Sequence, residues 1–241
     1  MKSFAIILAS GSGSRYGDNF QPKHLLKVNN IPIISWTLNS VILSKIFHKV
    51  VIVTKEEYLN STMSAINMHY DINKNNIFKA IGGAERMDSF FNGLKTINEN
   101  YELNDSDTLA LIDANRPFFS PNQLVDLNRL ALKIGCSCPA RPVVNGVARI
   151  NNDKIVEIPK KESFMEFVTP EIIKYKVLKN SLNMSDMMKK SLIEYALIVN
   201  VKPGYIISSE LNSKLTYPED LAYLEGLVKK YDIKLSNVEG S

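Results

Sequence analysis

The first segment able to do chemistry is Leu8-Ala9-Ser10-Gly11-Ser12-Gly13-Ser14-Arg15-Tyr16-Gly17, which follows an apolar run at 4–8 and leads into Pro22-Lys23. Glycines here let the backbone turn sharply and approach a phosphate, so that main-chain N–H groups can coordinate its oxygens. Arg15 and Lys23 flank the glycines closely enough for both cations to reach one polyphosphate. Read alone, the segment is a phosphate-binding loop or a tight turn carrying two solvated basic residues. Gly11 and Gly13 are followed by Tyr16 where the dinucleotide-binding pattern needs its third glycine, and no Gly-Lys-Ser/Thr ending makes a P-loop. A nicotinamide oxidoreductase also needs an acidic residue roughly 20 positions beyond the glycines, and none is evident.

Three further segments carry candidate chemistry. Gly82-Gly83-Ala84-Glu85-Arg86-Met87-Asp88-Ser89 could offer backbone groups to a flat base, with Arg86 and Ser89 at a helix N-terminus suited to a phosphate; a plain left-handed turn is the alternative. Leu111-Ile112-Asp113-Ala114-Asn115-Arg116-Pro117 places an acid at the carboxyl end of a strand, where ligands bind in open α/β sheets. Asp113 could there hold a divalent cation, since Mg²⁺ takes one or two carboxylates plus phosphate oxygens; an Asp113–Arg116 ion pair in a turn is the bland alternative. Lys214, in Asn212-Ser213-Lys214-Leu215-Thr216, reads by itself as a solvated loop lysine.

Apolar runs of strand length alternate with helical segments, the signature of βαβ units around a mostly parallel sheet. Strands are expected at 4–8, 49–53, 77–81, 108–112, 136–140 and 196–201. Capping boxes at 54–57 and 120–123 announce helices, the second with proline at its first position. Thr169-Pro170-Glu171 and Thr216-Tyr217-Pro218-Glu219 read as further helix starts. Residues 141–168 break the rhythm as two strands around Asn151-Asn152-Asp153, a projecting β-arm. The expectation is one α/β domain over 1–241 with that arm as its only subdomain.

The chain has 241 residues, of which 45% are hydrophobic and 22% charged, an ordinary balance for a soluble globular protein. No stretch approaches the roughly 20 apolar residues that span a bilayer, and the short apolar N-terminus lacks the cleavage context of a signal peptide. Cys136 and Cys138 have no neighbouring Cys or His to complete a zinc shell and read as reduced thiols, which suits a cytoplasmic protein. A net charge of +4 spread among acidic residues fits a small anionic substrate rather than a nucleic acid.

In their order and spacing these segments, with Thr169-Pro170-Glu171 and the Asn212–Thr216 stretch, closely resemble the methylerythritol phosphate cytidylyltransferases and their relatives, the ribitol-5-phosphate cytidylyltransferases, over nearly the whole chain. The resemblance implies a Rossmann-like nucleotidyltransferase fold, CTP as co-substrate, Mg²⁺ as cofactor and a homodimer joined through the arm. It implies catalytic roles for Arg15, Lys23 and Lys214, and nucleotide binding by Ala9, Ser10, Gly11, Ser12, Gly13, Gly82, Gly83, Arg86, Ser89 and Asp113, the last also facing the metal. Arg116, Lys161, Thr169 and Lys214 fall to the acceptor, with Lys214 holding its phosphate. The departures lie mostly on that side: Ile112 stands for a histidine, Asn145-Gly146 for Asp-Thr, Glu171 for glutamine and Lys161 for an arginine. With an Arg15–Lys23 interval closer to the ribitol type, they point to an alditol phosphate for a surface polysaccharide over methylerythritol phosphate for isoprenoids. A nucleotide-binding protein of this fold without turnover is the alternative.

Overall fold

The computed structural model describes residues 1–11, 22–184 and 189–235. In chain order its strands and helices are β1 Ser3–Leu8, β2 Lys27–Val28, β3 Ile31–Pro32, α1 Ile33–Ser44, β4 Phe47–Thr54, α2 Leu59–Asn67, β5 Ile77–Ile81, α3 Arg86–Asn100, β6 Thr108–Asp113, α4 Pro121–Ile134, β7 Cys136–Pro142, β8 Arg149–Asn151, β9 Lys154–Glu157, β10 Met165–Phe167, β11 Glu171–Lys174, α5 Tyr175–Met184, α6 Leu192–Ile198, β12 Gly204–Ile207 and α7 Asp220–Tyr231.

Eight strands form one sheet in the order β10-β7-β11-β6-β1-β4-β5, with β12 on the other edge of β7. Strands β6, β1, β4 and β5 run parallel, and β11 lies antiparallel between β6 and β7. Period-two alternation along β1 divides the core. Ala5 and Ile7 meet Ile34 and Leu38 of α1 and Leu124 and Leu127 of α4. Phe4 and Ile6 on the opposite face meet Phe90 and Leu94 of α3 and Tyr195 of α6. Strands covered on both faces must be apolar throughout, which is why β1 and β6 read as continuous hydrophobic runs. Both cysteines are buried on β7 and unpaired.

Two expected elements are corrected. Residues 196–201 are not a strand: Leu192, Tyr195 and Ala196 bury one face of α6 at helical spacing, Ser191 caps it by accepting the Glu194 N–H at 3.2 Å, and the strand comes later, as β12. A short apolar run does not by itself distinguish strand from helix. Thr169-Pro170-Glu171 does not start a helix either. A cis Thr169–Pro170 bond leads into β11, which pairs with β6 and β7, and the helix waits until Tyr175. Helix starts at 54–57, 120–123 and 216–219 are right in place but not in their bonds. Neither Ser120 nor the residues before α2 make a side-chain cap, and α7 opens with Asp220 accepting the N–H groups of Thr216 and Tyr217 at 2.6 and 2.8 Å.

Of the expected arm at 141–168 only the middle leaves the sheet, as the β8–β9 hairpin turned by Asn152 and Asp153 with φ of 46° and 59°; Arg141 and Pro142 still belong to β7, and Met165–Phe167 return to pair with it as β10. Ile150, Ile155, Val156 and Ile158 along it are exposed.

Candidate active site

The carboxyl ends of β1, β5 and β6 open on a cleft of about 560 Å³. Its floor is the backbone leaving β1 through Ala9, Ser10 and Gly11. Gly82 and Gly83 are required by close approach: a Cβ at Gly82 would sit 2.5 Å from that of Ser10, and one at Gly83 2.2 Å from that of Asp88. Ser89, almost fully buried, joins the two segments. Its hydroxyl lies 2.8 Å from Ser10 Oγ and accepts the Gly83 N–H at 3.1 Å. A capping box between Glu85 and Asp88 closes the first turn of α3, fixing Arg86 at the cleft edge.

The cleft's charges meet at Asp113, the last residue of β6. Its Oδ1 accepts from Arg86 Nε and Nη2 at 3.3 and 3.2 Å, and its Oδ2 accepts from Lys214 Nζ at 2.9 Å. Burial pushes this carboxyl up, but Arg86, Lys214 and Arg116 outweigh it and hold Asp113 down at about 2. Arg86 also reaches Glu171 Oε1 at 3.2 Å, while Glu171 Oε2 accepts the Leu192 N–H at 2.6 Å at the start of α6. Burial raises the Glu171 carboxyl against the pull of Arg86. The Asp113–Arg116 ion pair considered from sequence does not form; Arg86 and Lys214 take its place.

Across the cleft, Lys23 follows Pro22 in a short 3-10 turn and donates to the Thr216 carbonyl at 2.5 Å. His24 beside it is buried, with Nε2 2.8 Å from Thr62 Oγ1, and burial lowers its pKa to about 4, so the ring is neutral at ordinary pH. Asn115 donates to Leu215 O at 2.8 Å and accepts the Leu215 N–H at 2.9 Å. These bonds tie the loop carrying Lys214 and Thr216 to the end of β6.

The remaining candidates sit around the cleft or away from it. Thr169 is buried behind Asp113, accepting its backbone N–H at 3.4 Å. Arg116 is buried and donates to Asn212 O at 2.8 Å. Lys161 stands exposed on the arm, donating to Val144 O at 3.3 Å. Ser12, Gly13 and Arg15 lie outside the described residues. Lining this cleft as well are His24, Lys55 and Asn115, which the sequence did not single out; Lys55 and Asn115 lie inside the segments read at 54–57 and 111–117, while His24 stands just past Pro22-Lys23. Among the described residues no group of three His, Cys, Asp or Glu is placed to hold a metal ion, and no helix is long and apolar enough to cross a membrane.

The sequence model of the IspD family, 2-C-methyl-D-erythritol 4-phosphate cytidylyltransferase, matches residues 3–230. A ribitol-5-phosphate cytidylyltransferase of Lactiplantibacillus plantarum is 27% identical over 231 residues, covering 94% of this chain and 98% of that enzyme. Among solved structures, the 4-diphosphocytidyl-2C-methyl-D-erythritol synthase of Anaerococcus prevotii superposes with a TM-score of 0.77 at 20% identity, covering 95% of this chain and 96% of that one. The 2-C-methyl-D-erythritol 4-phosphate cytidylyltransferase of Francisella tularensis does so with a TM-score of 0.74 at 20% identity, covering 97% and 100%. These two likenesses establish the nucleotidyltransferase fold, and the family match goes further: the chain belongs to the 2-C-methyl-D-erythritol 4-phosphate cytidylyltransferase family and is a CTP-dependent cytidylyltransferase.

Proposed function

We propose that the cleft joins CTP to an alditol phosphate of the ribitol 5-phosphate type, releasing pyrophosphate. The observation that carries this reading is the convergence of Lys23, Arg86 and Lys214 with Asp113 at the carboxyl ends of β1 and β6. The glycine-bearing segments after β1 and β5 cradle the nucleotide, Gly82 and Gly83 facing the base and Ser89 fixing both. A phosphate oxygen of the acceptor attacks the α-phosphorus in line, and the bond from that phosphorus to the β-phosphate oxygen breaks. Lys23 and Arg15 stabilise the charge that moves to pyrophosphate, and Lys214 draws the acceptor phosphate to the reacting centre. No covalent intermediate is needed; positioning and electrostatics suffice.

Asp113 suits Mg²⁺ in one respect: its Oδ2 is held by Lys214, whose side chain is 40% exposed and can move aside, so that Asp113 would be the one carboxylate holding the ion, the other ligands having to come from CTP and water. Bound there, Mg²⁺ supplies charge neutralisation on the triphosphate. The exposed isoleucines of the hairpin support a homodimer through the arm, and two unpaired thiols suit a cytoplasmic enzyme. For the acceptor, the ribitol enzyme's likeness over nearly the whole chain supports an alditol phosphate, as do Ile112, Asn145 and Lys161, where the sequence departs from the methylerythritol pattern. Pyrophosphate release with CTP and Mg²⁺ across ribitol 5-phosphate, methylerythritol 4-phosphate and glycerol 3-phosphate tests this. Ribitol 5-phosphate is expected to lead; methylerythritol phosphate leading by tenfold would reverse the choice of acceptor.

A further inference from the structure

Where β6 and β7 end on the same rim of the sheet, outside the lining of the cleft itself, two guanidiniums share one acceptor. Arg116 Nη1 and Arg141 Nη2 both donate to the carbonyl oxygen of Asn212, at 2.8 and 2.6 Å. The Nε–H of each arginine is buried and makes no hydrogen bond. No carboxylate lies within ion-pair distance of either among the described residues. Glu166, directly across the strand pair from Arg141, is exposed and makes no ion pair with it. Buried cations normally carry a paired anion, because desolvation without one is costly. Burial, with Arg141 and Arg86 nearby, lowers the Arg116 pKa to about 10 against the pull of Asp113; Asp113 itself is paired with Arg86 and Lys214, so neither the buried Arg116 nor the half-buried Arg141 has a carboxylate of its own among the described residues.

Their place says which anion would answer their charge. Arg141 sits at the carboxyl end of β7, on the same rim where β6 ends in Asp113, the rim on which open α/β sheets bind ligands. Asn212, which holds both arginines, donates its side-chain amide to Thr169 O at 2.8 Å, and Thr169 in turn backs Asp113. The pair is thus linked to Asp113 through Asn212 and Thr169, on the side opposite the glycine segments, while Lys23 and Lys214 line the cleft itself. We propose that Arg116 and Arg141 form an oxyanion subsite for a second acidic group on the acceptor, a carboxylate in addition to the phosphate that attacks CTP. Arg141, which no motif singled out, is the specificity-determining residue of this subsite. The inference rests on the cytidylyltransferase reading of the cleft and goes beyond its acceptor assignment, adding an acid-bearing polyol phosphate that is preferred over the matching neutral alditol phosphate. A planar guanidinium fork matches a carboxylate in a way that a lysine ammonium does not.

Matched phosphate esters that differ only in the acid test the idea: 5-phospho-D-ribonate against D-ribitol 5-phosphate, and 4-phospho-D-erythronate against D-erythritol 4-phosphate. Each is assayed for pyrophosphate release with CTP and for binding to the CTP-free protein by calorimetry, using wild type, Arg141→Gln and Arg141→Lys, with CTP affinity as the control for folding. The acid of each pair is expected to show at least tenfold higher kcat/KM and tighter binding. Arg141→Gln is expected to erase that preference and Arg141→Lys to keep part of it. Equal handling of the two members by wild type, failure of both to bind, or equal weakening of both by Arg141→Gln overturns the subsite. Preferred binding of the acid without any pyrophosphate release leaves the subsite standing and counts against the transferase reading instead.

Discussion

Lys23 and His24 are sequence neighbours with different tasks. Lys23 lines the cleft, and on the proposed reading its contribution belongs to the transition state. Lys23→Ala, and Arg15→Ala on the same reading, are expected to lower kcat by two or more orders of magnitude while the CTP dissociation constant moves only a few-fold; steady-state kinetics beside calorimetric CTP binding separates the two effects. His24 acts on stability. Its folded pKa of about 4 lies below the ordinary 6.5, so its stabilising contribution is fully present above about pH 6.5 and is lost as pH falls through 4. By linkage that loss amounts to about 3 kcal/mol at pH 4. Urea unfolding of wild type and His24→Gln at pH 7 and pH 4 measures it: the variant, which can keep a hydrogen bond to Thr62, is expected to lose less stability on acidification by about that amount. Residues of this kind were only half legible. The acid of Asp113 and the cation of Lys23 stand in local motifs, but the bonds that place them, Arg86 to Glu171 and Lys23 to Thr216, join residues 85 and 193 positions apart. Arg141 gave no local signal at all, since its partner lies 71 positions away.

Among the elements, the junction of β5 and α3 is the most tightly specified. A methyl group on Gly83 would enter the space of Asp88 Cβ and disturb the capping box that starts α3, whereas at Gly146 on the arm nothing lies within 4 Å. Gly83→Ala is therefore expected to cost roughly 1–3 kcal/mol and to weaken CTP binding, while Gly146→Ala should stay within about 0.5 kcal/mol; chemical denaturation of both variants checks the contrast. The central strands were readable because burial on both faces makes them plain apolar runs. Strand β11 was not, because Thr-Pro-Glu has the form of a helix start, and only the slot between β6 and β7 makes an extended strand of it. Glu171 in that slot is 2% exposed and is tolerated there because Arg86 and two N–H groups at the start of α6 meet its oxygens. The run at 196–201 misled for a different reason: it straddles the end of α6, with Ala196 on the buried stripe of the helix, Leu197 exposed, and Val199 and Val201 beyond its last turn.

At the scale of the molecule, two surfaces are distinct: the cationic cleft at the carboxyl rim of the sheet, and the hairpin with its exposed isoleucines. If the hairpin joins two copies, the double substitution Ile150→Asp and Ile155→Asp is expected to shift the protein from dimer to monomer in sedimentation equilibrium without lowering its melting temperature appreciably, because neither side chain packs on the core. A wild type that sediments as a monomer at micromolar concentration would remove the arm from the account of assembly. The central claim concerns the cleft, and product analysis tests it most directly: incubation with CTP, Mg²⁺ and ribitol 5-phosphate, followed by ³¹P NMR. The account predicts a pair of coupled diphosphate resonances from a CDP-linked product together with free pyrophosphate, and neither when ATP replaces CTP. Intact CTP, or CTP hydrolysed to CMP with no diphosphate-linked product, for this acceptor and for its acid-bearing counterpart alike, would contradict it.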